Sequence, residues 1–256
     1  MLLALQKNIV YGPVNSRRLG RSLGINILPQ GKKICTFNCR YCQYGWTDYE
    51  LVRSTGEEEF PRTDEIISAV EYALRNLDEP PAYLTFSGNG EATIHPRFPE
   101  IVDALIRLRE NAAPRAKTAI LSNSAGVNNK LIRNALQKLD ARIMKLDAGT
   151  QPVFSLFNDP IEGIDIEAVT EGLAAMKEII IQSLFAGGPE GNTEANQIKN
   201  WVSRVKYINP SLVQIYTLDR GTPSSSLIKL EKEDLTAVKS MLDREGINSE
   251  VYCRNL

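Results

Sequence analysis

Histidine is almost missing from this sequence, and His95 is its only representative. It has no second imidazole to work with, and it stands directly before Pro96. A structural or helix-start role fits it better than catalysis. Long apolar runs are also missing. None approaches the roughly 20 residues needed to span a bilayer, which excludes a transmembrane helix. Met1-Leu2-Leu3-Ala4-Leu5 is apolar, but no basic segment precedes it and Gln6 and Lys7 follow at once. No secretory leader is therefore expected. Cysteine is scarce, with four in 256 residues, and three of them are crowded together. That distribution excludes a disulfide framework and predicts a reducing, cytoplasmic setting. There is no linker, repeat or low-complexity stretch, so residues 1–256 are read as one domain with short terminal extensions. The 43% hydrophobic and 24% charged residues suit an ordinary globular chain.

Net charge is also nearly absent, at −1 overall, yet it is unevenly spread. Residues 1–53 hold eight basic side chains (Lys7, Arg17, Arg18, Arg21, Lys32, Lys33, Arg40 and Arg53) against Asp48 and Glu50. That is a net +6, which leaves −7 for the rest. Such asymmetry marks either an anionic partner or basic residues that fold against distant acidic ones. Arg17 and Arg18 are the candidates for an anion, because guanidinium forks match phosphate or carboxylate.

What the sequence does concentrate is thiol. Cys35, Cys39 and Cys42 lie in Ile34–Gly45 with C-x3-C-x2-C spacing. Soft thiolates select zinc, copper(I) or iron–sulfur clusters. Structural zinc and cuboidal iron–sulfur clusters ordinarily take four protein ligands. Three on one short loop leave one metal position open to a reactant. The other reading is a zinc site completed by His95 or Cys253.

Around this loop the chain alternates strand and helix patterns. Strands are expected at 22–28, 82–87, 117–121, 141–146, 178–184 and 212–218, with a further one at 247–252. Apolar stripes at helical spacing predict helices from Thr63 or Asp64 to Leu77, and at 98–109, 128–138, 166–176, 194–205 and 232–245. Alternation of this kind predicts parallel βα units with right-handed crossovers and function at the carboxyl ends of the strands. Pattern alone leaves a doubly wound sheet and a curved partial barrel both open.

Chemistry-bearing residues recur at those strand ends. After the second strand comes Gly88-Asn89-Gly90-Glu91. Its glycines allow a sharp turn and close approach to a ligand, its amides suit an amino-acid carboxylate, and Glu91 suits an ammonium. A plain strand-to-helix turn is the alternative. Ser122 and Asn123, at the end of the third strand, suit ribose hydroxyls or a helix cap. Lys145 and Asp147 follow the fourth strand, and Gln182 and Ser183 sit on the fifth. Lys145 and Asp147 read either as site residues or as a simple ion pair. Tyr216 ends the sixth strand, and Tyr41 beside Cys42 offers an aromatic face to a base.

The loop, with Tyr41 just before the last cysteine, resembles the signature of the radical S-adenosylmethionine (SAM) superfamily. The Gly88–Glu91 turn resembles that superfamily's Gly-Gly-Glu-Pro element, with Asn89 between the glycines and Ala92 where proline is common. Tyr11–Gly24, SGNGE, KLDAG and VQIYTLDR narrow the resemblance to iron–sulfur oxidoreductases that include wybutosine-synthase-like proteins. Archaeal members of that group carry extra N-terminal cysteines, and this chain has none before Cys35.

The resemblance implies a partial (β/α)6 TIM-like barrel and a [4Fe–4S] cluster on Cys35, Cys39 and Cys42. It implies SAM held at its methionine end by Gly88, Asn89, Gly90 and Glu91. Ser122 and Asn123 would lie at the ribose, with Tyr41, Asp147, Gln182 and Tyr216 around the remainder of the cofactor. It implies reductive cleavage of SAM to a 5′-deoxyadenosyl radical that abstracts hydrogen, fed by a donor such as ferredoxin or flavodoxin. The substrate is expected to be small or anionic; a peptide, a tRNA or a glycyl-radical protein to be activated are the other enzyme readings. Outside enzymes, the rival is an iron–sulfur or zinc-binding electron carrier or scaffold.

Overall fold

The computed structural model describes residues 1–253. Its elements are β1 (Val10–Ser16), β2 (Gly20–Ile25), α1 (Tyr49–Ser54), α2 (Thr63–Arg75), β3 (Tyr83–Phe86), α3 (Phe98–Ala112), β4 (Lys117–Ser122), α4 (Lys130–Gln137), β5 (Ala141–Lys145), α5 (Gln151–Val153), α6 (Ile166–Ala174), β6 (Ile180–Leu184), α7 (Ala195–Ile208), β7 (Leu212–Tyr216), α8 (Lys232–Arg244) and β8 (Ser249–Tyr252). The single turn α5 runs on into a π-helical turn at Phe154–Asn158.

The strands form one sheet in sequence order, β1 to β8, with β1 and β8 at its two edges. β2 to β8 are parallel, and β1 is antiparallel to β2. The sheet is not closed, which makes it the expected partial barrel with one more parallel strand and one antiparallel edge strand. β1 escapes a reading by alternation because Gly12 and Pro13 interrupt it, and its register slips between Tyr11 and Val14. Its turn carries Arg17 and Arg18 to the far edge. Arg17 pairs with Asp219, and Arg18 lies over the rings of Tyr216 and Tyr252. The hairpin thus bridges the seam that the sheet leaves open.

The helices pack apolar stripes on the sheet. Ile66 and Val70 of α2, and Phe98, Ile101, Val102 and Leu105 of α3, are fully buried. Each such burial contributes roughly 1.5–3 kcal/mol. Helix starts differ from expectation in detail. Thr63 and Asp64 lie inside α2; Arg62 holds the capping position, and its amide donates to the Glu65 carboxylate at 2.9 Å. The helix expected over 128–138 begins only at Lys130, because Asn129 caps α4 by accepting from Leu131 and Ile132. Among the described residues no helix is long and apolar enough to cross a membrane.

Candidate functional site: a thiolate loop over the carboxyl ends of the strands

A cavity of about 630 Å3 opens at the strand ends. It gathers Cys35, Cys39, Cys42, Tyr41, Gly88, Gly90, Glu91, Ser122, Asn123, Gln182 and Tyr216 on one wall system, together with Arg18, Lys33 and Lys145. Of the residues expected at the site, Asn89 and Asp147 do not line it.

The cysteine loop is bolted to the Gly88–Glu91 turn. The Ile34 amide donates to the Asn89 carbonyl at 2.9 Å, and the Glu91 amide donates to the Ile34 carbonyl at 2.9 Å. Gly90 has φ +144°, and a Cβ there would fall inside the Ile34 carbonyl. A Cβ on Gly88, at φ +133°, would stand 2.7 Å from Asn26 Oδ1. Both glycines are therefore demanded by the protein's own backbone and side chains: Gly90 allows the close approach of the cysteine loop, and Gly88 that of Asn26. Asn89 is fully buried and turned away from the cavity. Its side chain accepts from the Gln6 amide at 2.7 Å and donates to the Gln6 carbonyl at 2.9 Å, which pins the N-terminal segment beside the site.

Glu91 is 1% exposed. Its carboxylate accepts from the Thr93 amide at 3.1 Å, the Thr93 hydroxyl at 2.7 Å, the Ser122 hydroxyl at 2.9 Å and the Asn123 amide at 2.5 Å. No lysine or arginine pairs with it among the described residues. Burial pushes its pKa up against those hydrogen bonds. A buried carboxylate with donors but no cation, at a cavity edge, suits a ligand that brings an ammonium. Ser122 and Asn123 serve this arrangement. Asn123 also donates to Thr36 Oγ1 at 2.9 Å and to Cys35 Sγ at 3.6 Å. Their polar atoms hold Glu91 and the thiol loop in place.

Asp147 is buried under the loop. Its carboxylate accepts from the Leu184 amide at 2.8 Å, from Asn158 at 2.7 Å and from the Tyr41 hydroxyl, and Lys145 Nζ stands 3.7 Å away. Asn158, on the π-helical turn, also donates to Cys39 Sγ at 3.6 Å. Pattern reading overlooked Asn158, because a single asparagine directly after the largely apolar stretch 153–157 gives no periodic signal. His95 accepts from the Arg97 amide at 3.0 Å, bonds the Pro61 carbonyl at 3.0 Å and packs edge-on against Phe60. It is a structural residue outside the cavity.

In the metal-free chain burial pushes the Cys35 thiol up to about 12 and the Cys39 thiol up to about 11. Lys33, buried and bonded to the Gly45 carbonyl, pulls Cys35 the other way. No group of three His, Cys, Asp or Glu side chains among the described residues is arranged to hold a single metal ion. A cuboidal cluster makes a different demand, one thiolate to each of three irons. The donor set fits it: three thiols of one loop on one cavity, two of them receiving N–H groups from buried asparagines.

An open parallel α/β barrel with a three-thiol loop after its first parallel strand defines a class of cluster-binding barrels. The chain belongs to the radical SAM superfamily, whose family model matches residues 32–202. Membership implies SAM and an iron–sulfur cluster. A UPF0026 protein of Helicobacter pylori is 33% identical over 93% of this chain and 74% of its own length. Among solved structures, a radical SAM methyltransferase from Sphaerobacter thermophilus superposes with TM-score 0.62 at 14% identity, over 90% of this chain and 66% of that one. Streptococcus suis SuiB bound to S-adenosylmethionine gives TM-score 0.62 at 14% identity, over 90% of this chain and 50% of that one. At such identities the resemblance is one of fold.

Proposed function

We propose that the protein is an enzyme that carries one [4Fe–4S] cluster on Cys35, Cys39 and Cys42 and uses SAM at the open iron. The observation that carries this reading is the shared cavity, in which the three-thiol loop is hydrogen-bonded to a turn ending in a cation-free buried carboxylate. Cluster and SAM, when bound, supply one-electron chemistry that ends in hydrogen abstraction from a substrate. The chain's own residues do the positioning. Gly88, Gly90 and Glu91 receive the amino-acid end of SAM, with Glu91 held ready by Thr93, Ser122 and Asn123. Tyr41 and Gln182 form the wall along which ribose and base lie. Asn123 and Asn158 direct N–H groups at the sulfurs of Cys35 and Cys39 and tune their electron density. A low-potential donor such as ferredoxin or flavodoxin supplies the electron.

A tRNA-modifying, wybutosine-synthase-like role rests on the sequence motifs alone. The test is anaerobic reconstitution with iron and sulfide followed by assay for 5′-deoxyadenosine from SAM.

A further inference from the structure

Several basic residues of the N-terminal quarter have found acidic partners. Arg17 pairs with Asp219, Lys32 with Glu59, Arg40 with Glu190 at 3.6 Å and Arg53 with Glu50 at 2.9 Å. Arg18, next to Arg17 in the hairpin turn, has not. Its guanidinium makes no ion pair or hydrogen bond among the described residues, and its Nε is buried without a partner. It lies over the Tyr216 ring at 4.5 Å and the Tyr252 ring at 5.1 Å. Burial works against its charge, which an arginine nevertheless keeps. A second cation shares the same phenol. Lys145 Nζ is 3.3 Å from the Tyr216 hydroxyl and 5.1 Å from the centre of the Tyr41 ring. Its nearest carboxylate, Asp147, is 3.7 Å away and already receives Leu184, Asn158 and Tyr41. Both cations line the cavity.

We propose that Arg18 and Lys145, gathered on Tyr216 at the seam of the open barrel, form an oxyanion subsite for the carboxylate or phosphate group of a small-molecule substrate. The inference rests on the radical SAM reading only for what the bound molecule then undergoes. Arg18 is half-buried with its Nε buried and unpartnered, and an oxyanion in the cavity would give this guanidinium the charge-assisted bonds it lacks within the described residues. The aromatic faces hold both side chains in place before the anion arrives. The cavity volume, about 630 Å3, is that of a small-molecule site. Two cations inside a cavity serve one anionic group, whereas a nucleic acid needs a row of them on a face.

The test titrates inorganic phosphate and, separately, acetate into the reconstituted full-length protein by calorimetry. Saturable one-site binding of at least one of them is expected, and the preferred anion tells phosphate from carboxylate. Arg18→Gln should weaken it by about tenfold or more, and Arg18→Lys should recover part of the loss. Saturating SAM should not compete. Unchanged affinity in folded Arg18→Gln, with or without a lowered melting temperature, would make Arg18 a mere latch on the seam and overturn the proposal. Absence of saturable binding overturns it too, as does competition by SAM, which would assign Arg18 to the SAM carboxylate. Lys145→Gln carries the same expectation and the same overturning result if Arg18→Gln does not fold. Phosphate binding is read without SAM cleavage. A protein that binds phosphate through Arg18 yet forms no 5′-deoxyadenosine keeps the subsite and loses the radical SAM reading. One that forms 5′-deoxyadenosine and ignores both anions keeps that reading and loses the subsite.

Discussion

Glu91 has the most testable single-residue role in the site. Its environment offers four donors and, among the described residues, no paired lysine or arginine, and the proposal gives that place to SAM's ammonium. Glu91→Ala should keep the cluster and weaken SAM binding by at least about tenfold, the effect of losing a charge-assisted contact worth roughly 1.5–3 kcal/mol. Equilibrium binding of SAM to cluster-replete variant checks this, and unchanged affinity rejects the assignment. The thiols make a second prediction. Burial raises Cys35 to about 12 and Cys39 to about 11 in the metal-free fold. Groups raised above their unfolded values stabilise the fold fully below the unfolded pKa and lose that contribution as pH climbs through the folded one. Metal-free protein should therefore lose stability between about pH 9 and 12, an effect weaker in a Cys35→Ala/Cys39→Ala double variant. Denaturant titrations across that window measure it, and an equal slope in both proteins would contradict it. Residue identity at the site was legible because thiols, glycines and a carboxylate are chemically distinctive. Side-chain direction was not: Asn89, between two cavity glycines, bonds Gln6, and Asp147, two residues after Lys145, lies beneath the floor.

At the scale of elements, the parallel strands could be read from apolar runs separated by helical stripes. β4 was expected at 117–121 and runs Lys117–Ser122; β5 was expected at 141–146 and runs Ala141–Lys145. The β1 strand could not be read, since Pro13 and a slipped register erase its alternation. Nor could the meeting of the hairpin turn with β7 and β8, because it depends on how far the sheet curls. The joint between the cysteine loop and the glycine turn is the element-level feature that function depends on. Gly90→Ala should lower the stability of the metal-free protein by about 2 kcal/mol or more, through a backbone clash at a positive φ. Reconstituted Gly90→Ala should also hold less iron. Denaturation and iron analysis check both, and a variant with wild-type stability would show that the loop does not need this contact.

At the scale of the whole molecule, the uneven charge of the sequence is partly dissolved by folding. Arg17, Lys32 and Arg40 meet acidic residues beyond position 53. Lys7, Arg18, Arg21 and Lys33 make no ion pair among the described residues, and of these Arg18 and Lys33 line the cavity together with Lys145. The protein should therefore show no measurable tRNA binding at low salt. Tight binding with a salt slope implying many phosphate contacts would reverse the preference for a small substrate.

The central claim is that three cysteines hold a cluster which leaves one iron to SAM. Anaerobic reconstitution with iron and sulfide, followed by iron analysis and assay of 5′-deoxyadenosine from SAM under a strong reductant, tests it most directly. Roughly four irons per chain and SAM-dependent 5′-deoxyadenosine are predicted, both lost in Cys35→Ala, Cys39→Ala and Cys42→Ala and kept in Cys253→Ala. Retention of zinc in place of the cluster, a requirement for Cys253, or a cluster-replete protein that leaves SAM intact would contradict the claim.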